Sequence, residues 1–283
     1  MTTNNAHILR QRCREENIEA VKNILAEGQH ELVNESNIFG LTPLYIASSK
    51  GNLEIAKVLT ASGALVNQAT KDGETPLYIA SSKGHLEMVK ILIASRGVVD
   101  QGDKYGSTPL YIASREGHVE IVKVLIASGG LVNQAYFTDG FTPLYIASSK
   151  GHLEIVKVLI ESGGSVNQAT DTGATPLYIA SQKGHLEIFK TLVANKANFL
   201  YKNKRGLTPL DVAKTDEMKQ FIMNHPWYRR RPLLVTRPHD DHETNEEHQL
   251  TPLGQIVTVN KGDNPNSQDN LLFQIKIKVA SFL

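Results

Sequence analysis

The chain has a single cysteine, Cys13, in 283 residues, so no disulfide can form within it and a reducing compartment is expected. It has no apolar run near the ~20 residues that a membrane-spanning helix needs. Met1 to His7 carry neither the basic nor the apolar region of a secretory leader. A soluble, intracellular protein is therefore expected, in the cytoplasm, with the nucleus also open. The formal net charge is only +1, so there is no overall pull toward nucleic acid or anionic membrane, and neither is expected as a partner. Enzyme signatures are missing as well. There is no phosphate loop, no Gly-x-Ser-x-Gly, no His-Glu-x-x-His and no pair of carboxylates in an irregular setting. Cys13 lies in a polar stretch that suits a nucleophile poorly. The chain is expected to be noncatalytic, with no cofactor and no metal.

What is present is a repeat. Thr142-Pro143-Leu144-Tyr145-Ile146-Ala147-Ser148, followed by Gly151-His152-Leu153-Glu154-Ile155-Val156-Lys157, returns almost unchanged from Thr42, Thr75, Thr108 and Thr175, and in decayed form from Thr208. The starts are 33 residues apart except for one step of 34, between Thr108 and Thr142. Each unit reads as two helices. The threonine is placed to cap the first, and proline suits the first helical position because its missing N–H is not needed there. A glycine such as Gly84 ends that helix, where a positive φ is cheap. Leu86, Met88, Val89, Ile91, Leu92 and Ile93 carry the second helix. Gly97, with Gly63, Gly129 and Gly163 in sister units, is read as closing it. Val-Asn-Gln-Ala then leads to a turn such as Lys71 to Glu74. No unit buries its apolar face alone, so stacking must supply the core. Glu54/Lys57, Glu87/Lys90, Glu120/Lys123, Glu154/Lys157 and Glu187/Lys190 form i,i+3 pairs on a solvated face, each contributing only ~0.2–0.5 kcal/mol.

A period of 33 residues opened by Thr-Pro-Leu-x-x-Ala resembles the ankyrin-repeat family over roughly residues 6 to 224. The resemblance implies an all-α solenoid: a curved stack of about seven helix-turn-helix units with short turn fingers along one edge, plus a non-repeat C-terminal tail. The expected boundaries are an N-terminal capping repeat at 1–37, five full repeats at 38–70, 71–103, 104–137, 138–170 and 171–203, a C-terminal capping repeat at 204–224, and a tail at 225–283. Two departures stand out. Where the family usually has histidine, this chain has Tyr45, Tyr78, Tyr111, Tyr145 and Tyr178, and Asp211 in the last copy. A structural tyrosine ladder is the plain reading. The 34-residue step inserts a residue into the turn Ala135 to Phe141, placing Tyr136, Phe137 and Phe141 on one finger.

The tail lacks repeat character. Arg229 to Arg231 make a basic joint, and His239 to His248 are rich in acid and histidine and read as a loop. Gln255 to Val259 suit a short strand. Residues 269–283 fit either a strand, from the alternation of Ile275, Ile277 and Val279 with lysines, or a helix, and the helix is favoured. His239, Asp240, Asp241, His242 and His248 have zinc-ligand chemistry without a recognisable spacing. The repeated Gly-His (His85, His118, His152, His185) is structural in the family.

The family resemblance implies a protein partner held by the concave groove and the finger tips, in a monomer. By position the contact residues are Phe39, Leu41, Ser49 and Lys50; Lys71, Asp72, Glu74, Ser82 and Lys83; Tyr105, Ser107, Arg115 and Glu116; Asp139, Phe141, Ser149 and Lys150; and Thr172, Ala174, Gln182 and Lys183. Tyr136 and Phe137 add an aromatic tip, either as an interface anchor or folded onto neighbouring fingers. Lys50, Lys83, Lys150 and Lys183 would form a basic row suited to an acidic or phosphorylated segment; alternatively they favour the helix C-terminus and keep the face soluble. Two other roles stay open. One is an adaptor whose tail recruits a partner or docks its acidic stretch on the groove. The other is an accessory subunit of an enzyme.

Overall fold

The protein is described from a computed structural model, which covers residues 2–27 and 30–226 and, in the tail, the backbone of 246–250, 256–260 and 277–278. The chain divides into two compact units, Met1–Met218 and Lys219–Leu283. In the first, helices come in pairs: α1 (Thr2–Arg14) with α2 (Ile18–Ala26), α3 (Pro43–Lys50) with α4 (Leu53–Ala61), α5 (Pro76–Lys83) with α6 (Leu86–Ala94), α7 (Pro109–Glu116) with α8 (Val119–Ala127), α9 (Pro143–Lys150) with α10 (Leu153–Glu161), and α11 (Pro176–Lys183) with α12 (Leu186–Ala194). A 3₁₀ turn, His30–Asn34, follows α2, and α13 (Asp216–Asn224) runs across the unit boundary. Each first helix packs on the next first helix, and each second helix on the next second helix, giving two layers. This is the all-α repeat solenoid expected.

The layers bury different amounts. Six of the eight residues of α3 are buried, against three of the nine in α4, so the first helices are the interior of the stack. The threonine caps form in all five full units. Thr42, Thr75, Thr108, Thr142 and Thr175 each accept the tyrosine N–H three residues on, at 3.0–3.2 Å. The outer face of the second layer carries all five Glu–Lys pairs, at 2.6–2.9 Å, and Glu19–Lys22 adds a sixth at 3.0 Å.

Adjacent units are joined through histidine. The Nε2 of His85, His118, His152 and His185 lies 3.0–3.2 Å from the carbonyl oxygen of Ser49, Ser82, Arg115 and Ser149 in the preceding unit. Each ring rests on the glycine that ends the previous first helix. A Cβ on Gly84 would sit 2.6 Å from His118 Cε1, and Gly84 itself has φ +80°. These glycines are thus fixed both by backbone sign and by the ring above them.

One sequence reading needs correction. Gly63, Gly129 and Gly163 do close their second helices with positive φ, but Gly97 does not share their position. The equivalent residues are Arg96, at φ 68°, and Lys196, at φ 66°. Gly97 stands one residue later, with its N–H donating to the Leu92 carbonyl at 2.8 Å. Left-handed backbone occurs there in all five of these units, and two of them meet it without glycine.

The ends differ from the middle. α1 has 13 residues where the later first helices have eight, and Ala6, Leu9, Arg10 and Cys13 form its buried stripe at helical spacing. Burial pushes the Cys13 thiol up to about 12, which makes it unreactive. At the other end the last first helix does not form. Eleven residues separate Thr42 from Leu53, but only eight separate Thr208 from Asp216, which leaves too little chain for an eight-residue helix and its turn. Thr208 to Ala213 instead make turns, with Asp211 Oδ2 accepting the Thr208 N–H and hydroxyl at 2.7 and 2.6 Å.

In the second unit, β1 (Glu246–Leu250), β2 (Ile256–Asn260) and β3 (Ile277–Lys278) form an antiparallel sheet in that order. Glu246 stands opposite Asn260, and Val257 opposite Ile277. A strand near 255–259 is present, shifted by one residue. The last three residues of the expected loop, 246–248, are strand. Within the favoured helix at 269–283, Ile277–Lys278 is strand, as the alternating apolar pattern allowed. The rest of that segment lies outside the described residues, as do Arg229 to Arg231 and His239 to His242.

Candidate functional site

The fingers are the most individual part of the stack, yet their backbone is uniform. Each begins with a residue whose N–H closes the hairpin on the residue before the capping threonine: Asn37 to Leu41, Thr70 to Glu74, Asp103 to Ser107, Tyr136 to Phe141, Thr170 to Ala174 and Asn203 to Leu207, at 2.9–3.2 Å. In five of the six, the side-chain oxygen of that first residue also accepts backbone N–H groups within the finger. A single backbone bond links each finger to the one before it. Lys71 N–H donates to Phe39, Lys104 to Asp72, Phe137 to Tyr105, Asp171 to Asp139 and Lys204 to Thr172, at 2.9–3.0 Å.

The finger of the 34-residue step absorbs its extra residue inside the turn. In the other fingers the glycine N–H reaches back three residues, as from Gly106 to Asp103; here Gly140 reaches back four, to Tyr136 at 3.0 Å. The link to Tyr105 is kept. The insertion therefore enlarges the tip without interrupting the stack.

Its three aromatics separate. Tyr136 lies back on the tyrosine ladder, stacked with Tyr111 at 5.6 Å between ring centres and 18° between planes, and 6.1 Å from Tyr105. Phe141 stacks on Tyr145 at 4.8 Å and 9°. Phe137 stays outside at 71% exposure, with its ring over Gly106. Tyr105, 44% exposed, stands beside them with Lys104 Nζ 4.9 Å above its ring. Lys104 is held in turn by Asp72 Oδ1 at 2.5 Å. Phe39, on the first finger, is a separate exposed aromatic at 63%.

The tyrosine ladder is buried along its length. Two of its hydroxyls meet the next finger: Tyr45 donates to Glu74 Oε2, and Ser107 Oγ donates to the Tyr78 hydroxyl at 3.4 Å. Burial pushes Tyr111 and Tyr145 up to about 12 and raises Tyr45 and Tyr78 as well, so all four stay protonated. Glu74 is thus committed to the ladder, and Ser107 and Ala174 are buried against it.

On the first helices, Lys50, Lys83, Lys150 and Lys183 are exposed at the last position and make no ion pair among the described residues. Glu116 interrupts the series and is paired with Arg115 at 2.8 Å. Gln182, Lys71, Asp139 and Thr172 are exposed, while Leu41, Ser49, Ser82 and Ser149 are half-buried.

Sequence reasoning missed a second ladder. Asn67 Oδ1 accepts Val98 N–H at 2.8 Å while its Nδ2 donates to the Arg96 carbonyl at 3.1 Å. Asn34, Asn133 and Asn167 bridge to the next unit in the same way. In one unit Asp100 replaces the asparagine and accepts Leu131 N–H at 2.9 Å. The recurring Val-Asn was the available signal. The described residues contain no group of three His, Cys, Asp or Glu side chains able to hold a metal. They also contain no helix long and apolar enough to cross a membrane.

Comparison with known proteins agrees with this geometry. Ankyrin repeats in three copies match residues 9–100 and 94–170, and ankyrin repeats in many copies match residues 159–213. The solved ankyrin repeat domain of Bcl-3, described as a unique member of the IkappaB protein family, is similar at 25% sequence identity, with a TM-score of 0.67, over 75% of this chain and 96% of that one. No curated protein matches the chain. Two stacked helical layers, capped by Thr-Pro and edged by hydrogen-bonded fingers, together with matches from residue 9 to residue 213, place the chain in the ankyrin-repeat family.

Proposed function

We propose that the chain is a noncatalytic interaction scaffold that binds an acidic or phosphorylated segment of a protein partner along the first-helix face, with the exposed rings of Tyr105 and Phe137 as an apolar anchor. The observation that carries this reading is the charge of that face. Lys50, Lys83, Lys150 and Lys183 end four of the five capped first helices, α7 with Glu116 being the exception, and make no ion pair among the described residues. The lysines of the second layer are all neutralised by the glutamate three residues earlier, so the protein leaves one face cationic and the other balanced. Aligned cations pair readily with carboxylates and phosphates, and an exposed aromatic beside them supplies the apolar contact that interface hot spots favour.

The test is calorimetric titration of the intact chain with a glutamate-rich peptide, its phosphoserine counterpart and a glutamine control, at low and high salt. The acidic peptides are expected to bind and the control not. Salt should weaken the binding, because exposed charges are screened. Replacing Lys83, Lys150 and Lys183 together with serine should lower affinity roughly tenfold at low salt. An unchanged affinity in that triple variant would remove the lysine row from the site.

A further inference from the structure

The N-terminal end of the stack holds a buried cation with no ion pair among the described residues. Arg10, on α1, is nine-tenths buried, and its Nη1 donates to the Glu35 carbonyl at 2.7 Å. A guanidinium has five N–H donors, and no carboxylate lies within ion-pair distance of this one among the described residues. Burial is the largest influence on the group and lowers its pKa; the Glu35 carboxylate pulls the other way, and Arg14 adds to the lowering.

A second donor lies beside it. From the second finger onward, the residue after the finger's first position donates its N–H to the preceding finger, as Lys71 does to Phe39; in the enlarged finger Phe137 does the same to Tyr105. Ile38 occupies this position in the first finger, before which the described residues contain no other finger. Its N–H has no protein partner among the described residues. Between these two donors is a cavity of about 320 Å³ lined by Ala6, His7, Arg10, Glu35 and Ile38, among others, and open to solvent. Ile38 is 75% exposed.

We infer that this cavity binds a peptide carboxylate, with the carboxylate on Arg10 and a neighbouring backbone carbonyl on the Ile38 N–H, in the place that a preceding finger would occupy. The volume is at the small end of ligand sites, enough for one or two residues and not for a folded element. The planar fork of arginine matches a carboxylate with two parallel bonds. Ala6 and Ile38 give an apolar wall for the adjoining side chain. Arg14 adds positive charge nearby, and Glu35 is the one carboxylate among the described lining residues, so it competes with the ligand. The site is at the end of the stack and is independent of the lysine face. The carboxylate has two sources, a chain terminus or an Asp or Glu side chain, and both present the same group to Arg10.

The experiment is an NMR titration of the intact ¹⁵N-labelled chain, reading the Ile38 amide and the Arg10 Nε–H. Three probes are used: N-acetyl-Ala-Leu with a free carboxylate, the same peptide amidated, and N-acetyl-Ala-Glu-Ala amide. Saturable shifts at both reporters are expected from at least one carboxylate probe and not from the amidated dipeptide, and the arm that responds identifies the source. Arg10→Lys keeps the charge but loses the fork, and should weaken binding roughly tenfold. Glu35→Gln removes the competing anion at an exposed position and should tighten binding several-fold, a result that a purely structural Arg10 would not give. It also keeps the test decisive where Arg10→Lys does not fold. Absence of saturable shifts with both carboxylate probes, equal shifts with the amidated one, or a Glu35→Gln affinity that fails to rise overturns the inference.

Discussion

The helical layers and the fingers obey opposite rules. Pro43–Lys50, Pro76–Lys83 and Pro143–Lys150 have identical text, the same threonine cap and the same histidine joint above them. No two fingers share a sequence, yet all six close with the same bond and link to their neighbours with the same bond. The layers need identical side chains because each surface must fit a copy of itself one unit further on. The fingers need only the closing backbone bond and a glycine near the end, and five of the six add a side-chain acceptor at the start; the residues between are free. The one inserted residue shows how free, since it lengthens a turn and leaves the ladder intact. Uniformity therefore marks what holds the stack, and variation marks what the stack can present.

The largest expected effect breaks the layers. Leu92→Ala empties a fully buried position and should lower the unfolding free energy by about 3 kcal/mol, read from denaturant titration. Phe137→Ala, on the exposed tip, should change it by less than about 0.5 kcal/mol. Equal losses at the two sites would end the distinction. Gly84→Ala comes next. It would force φ +80° on a side chain and drive a Cβ to 2.6 Å from His118 Cε1, costing about 2 kcal/mol or more. Gly206 is an instructive control, at φ +77° with nothing within 4 Å. Its alanine variant should cost only the backbone strain, about 1 kcal/mol. The difference between the two isolates the histidine joint from the conformation of the glycine.

Within one finger the comparison sharpens. Tyr136 is stacked on Tyr111 and near Tyr105, so Tyr136→Ala should cost about 1 kcal/mol of stability, while Phe137→Ala should leave stability alone and weaken peptide binding. A Phe137 variant that unfolds early and binds normally would reverse the roles of the two rings.

The layers were legible in the sequence because their signals are local and repeated. A threonine before proline, a glycine eight residues after it and an apolar stripe recur often enough that no single position decides the reading. What was not legible depended on contacts between units. The destination of the Tyr45 hydroxyl is Glu74, 29 residues away, and no helix period points there. The separation of Tyr136, Phe137 and Phe141 into two packed rings and one exposed ring follows from where Tyr111, Tyr145 and Gly106 lie on adjacent fingers. Nothing in the polar text around Arg10 marks it as buried, whereas the 13-residue α1 turns it inward, with its guanidinium on the Glu35 carbonyl. Arg96 and Lys196 were hidden by a glycine one residue too late or by none at all. A left-handed backbone can be imposed by the bonds around it, so composition alone does not reveal it.

The smallest predicted effect concerns Asp100. Asn34, Asn67, Asn133 and Asn167 each accept one backbone N–H and donate to one carbonyl of the next unit. Asp100 accepts from Leu131 but, as a carboxylate, has no hydrogen to give to the carbonyl that its sisters reach. It also sets a negative charge near the C-terminal end of α8, where the helix dipole disfavours it. Asp100→Asn should therefore stabilise the stack by about 0.5 kcal/mol, the gain of one partly exposed hydrogen bond less the weaker acceptor. The reciprocal Asn67→Asp should destabilise it by a similar amount. Opposite signs in a paired denaturation experiment would show that the loops, and not only the helical layers, hold neighbouring units together. If both variants matched the parent, the asparagine ladder would be a consequence of stacking and not a contributor to it.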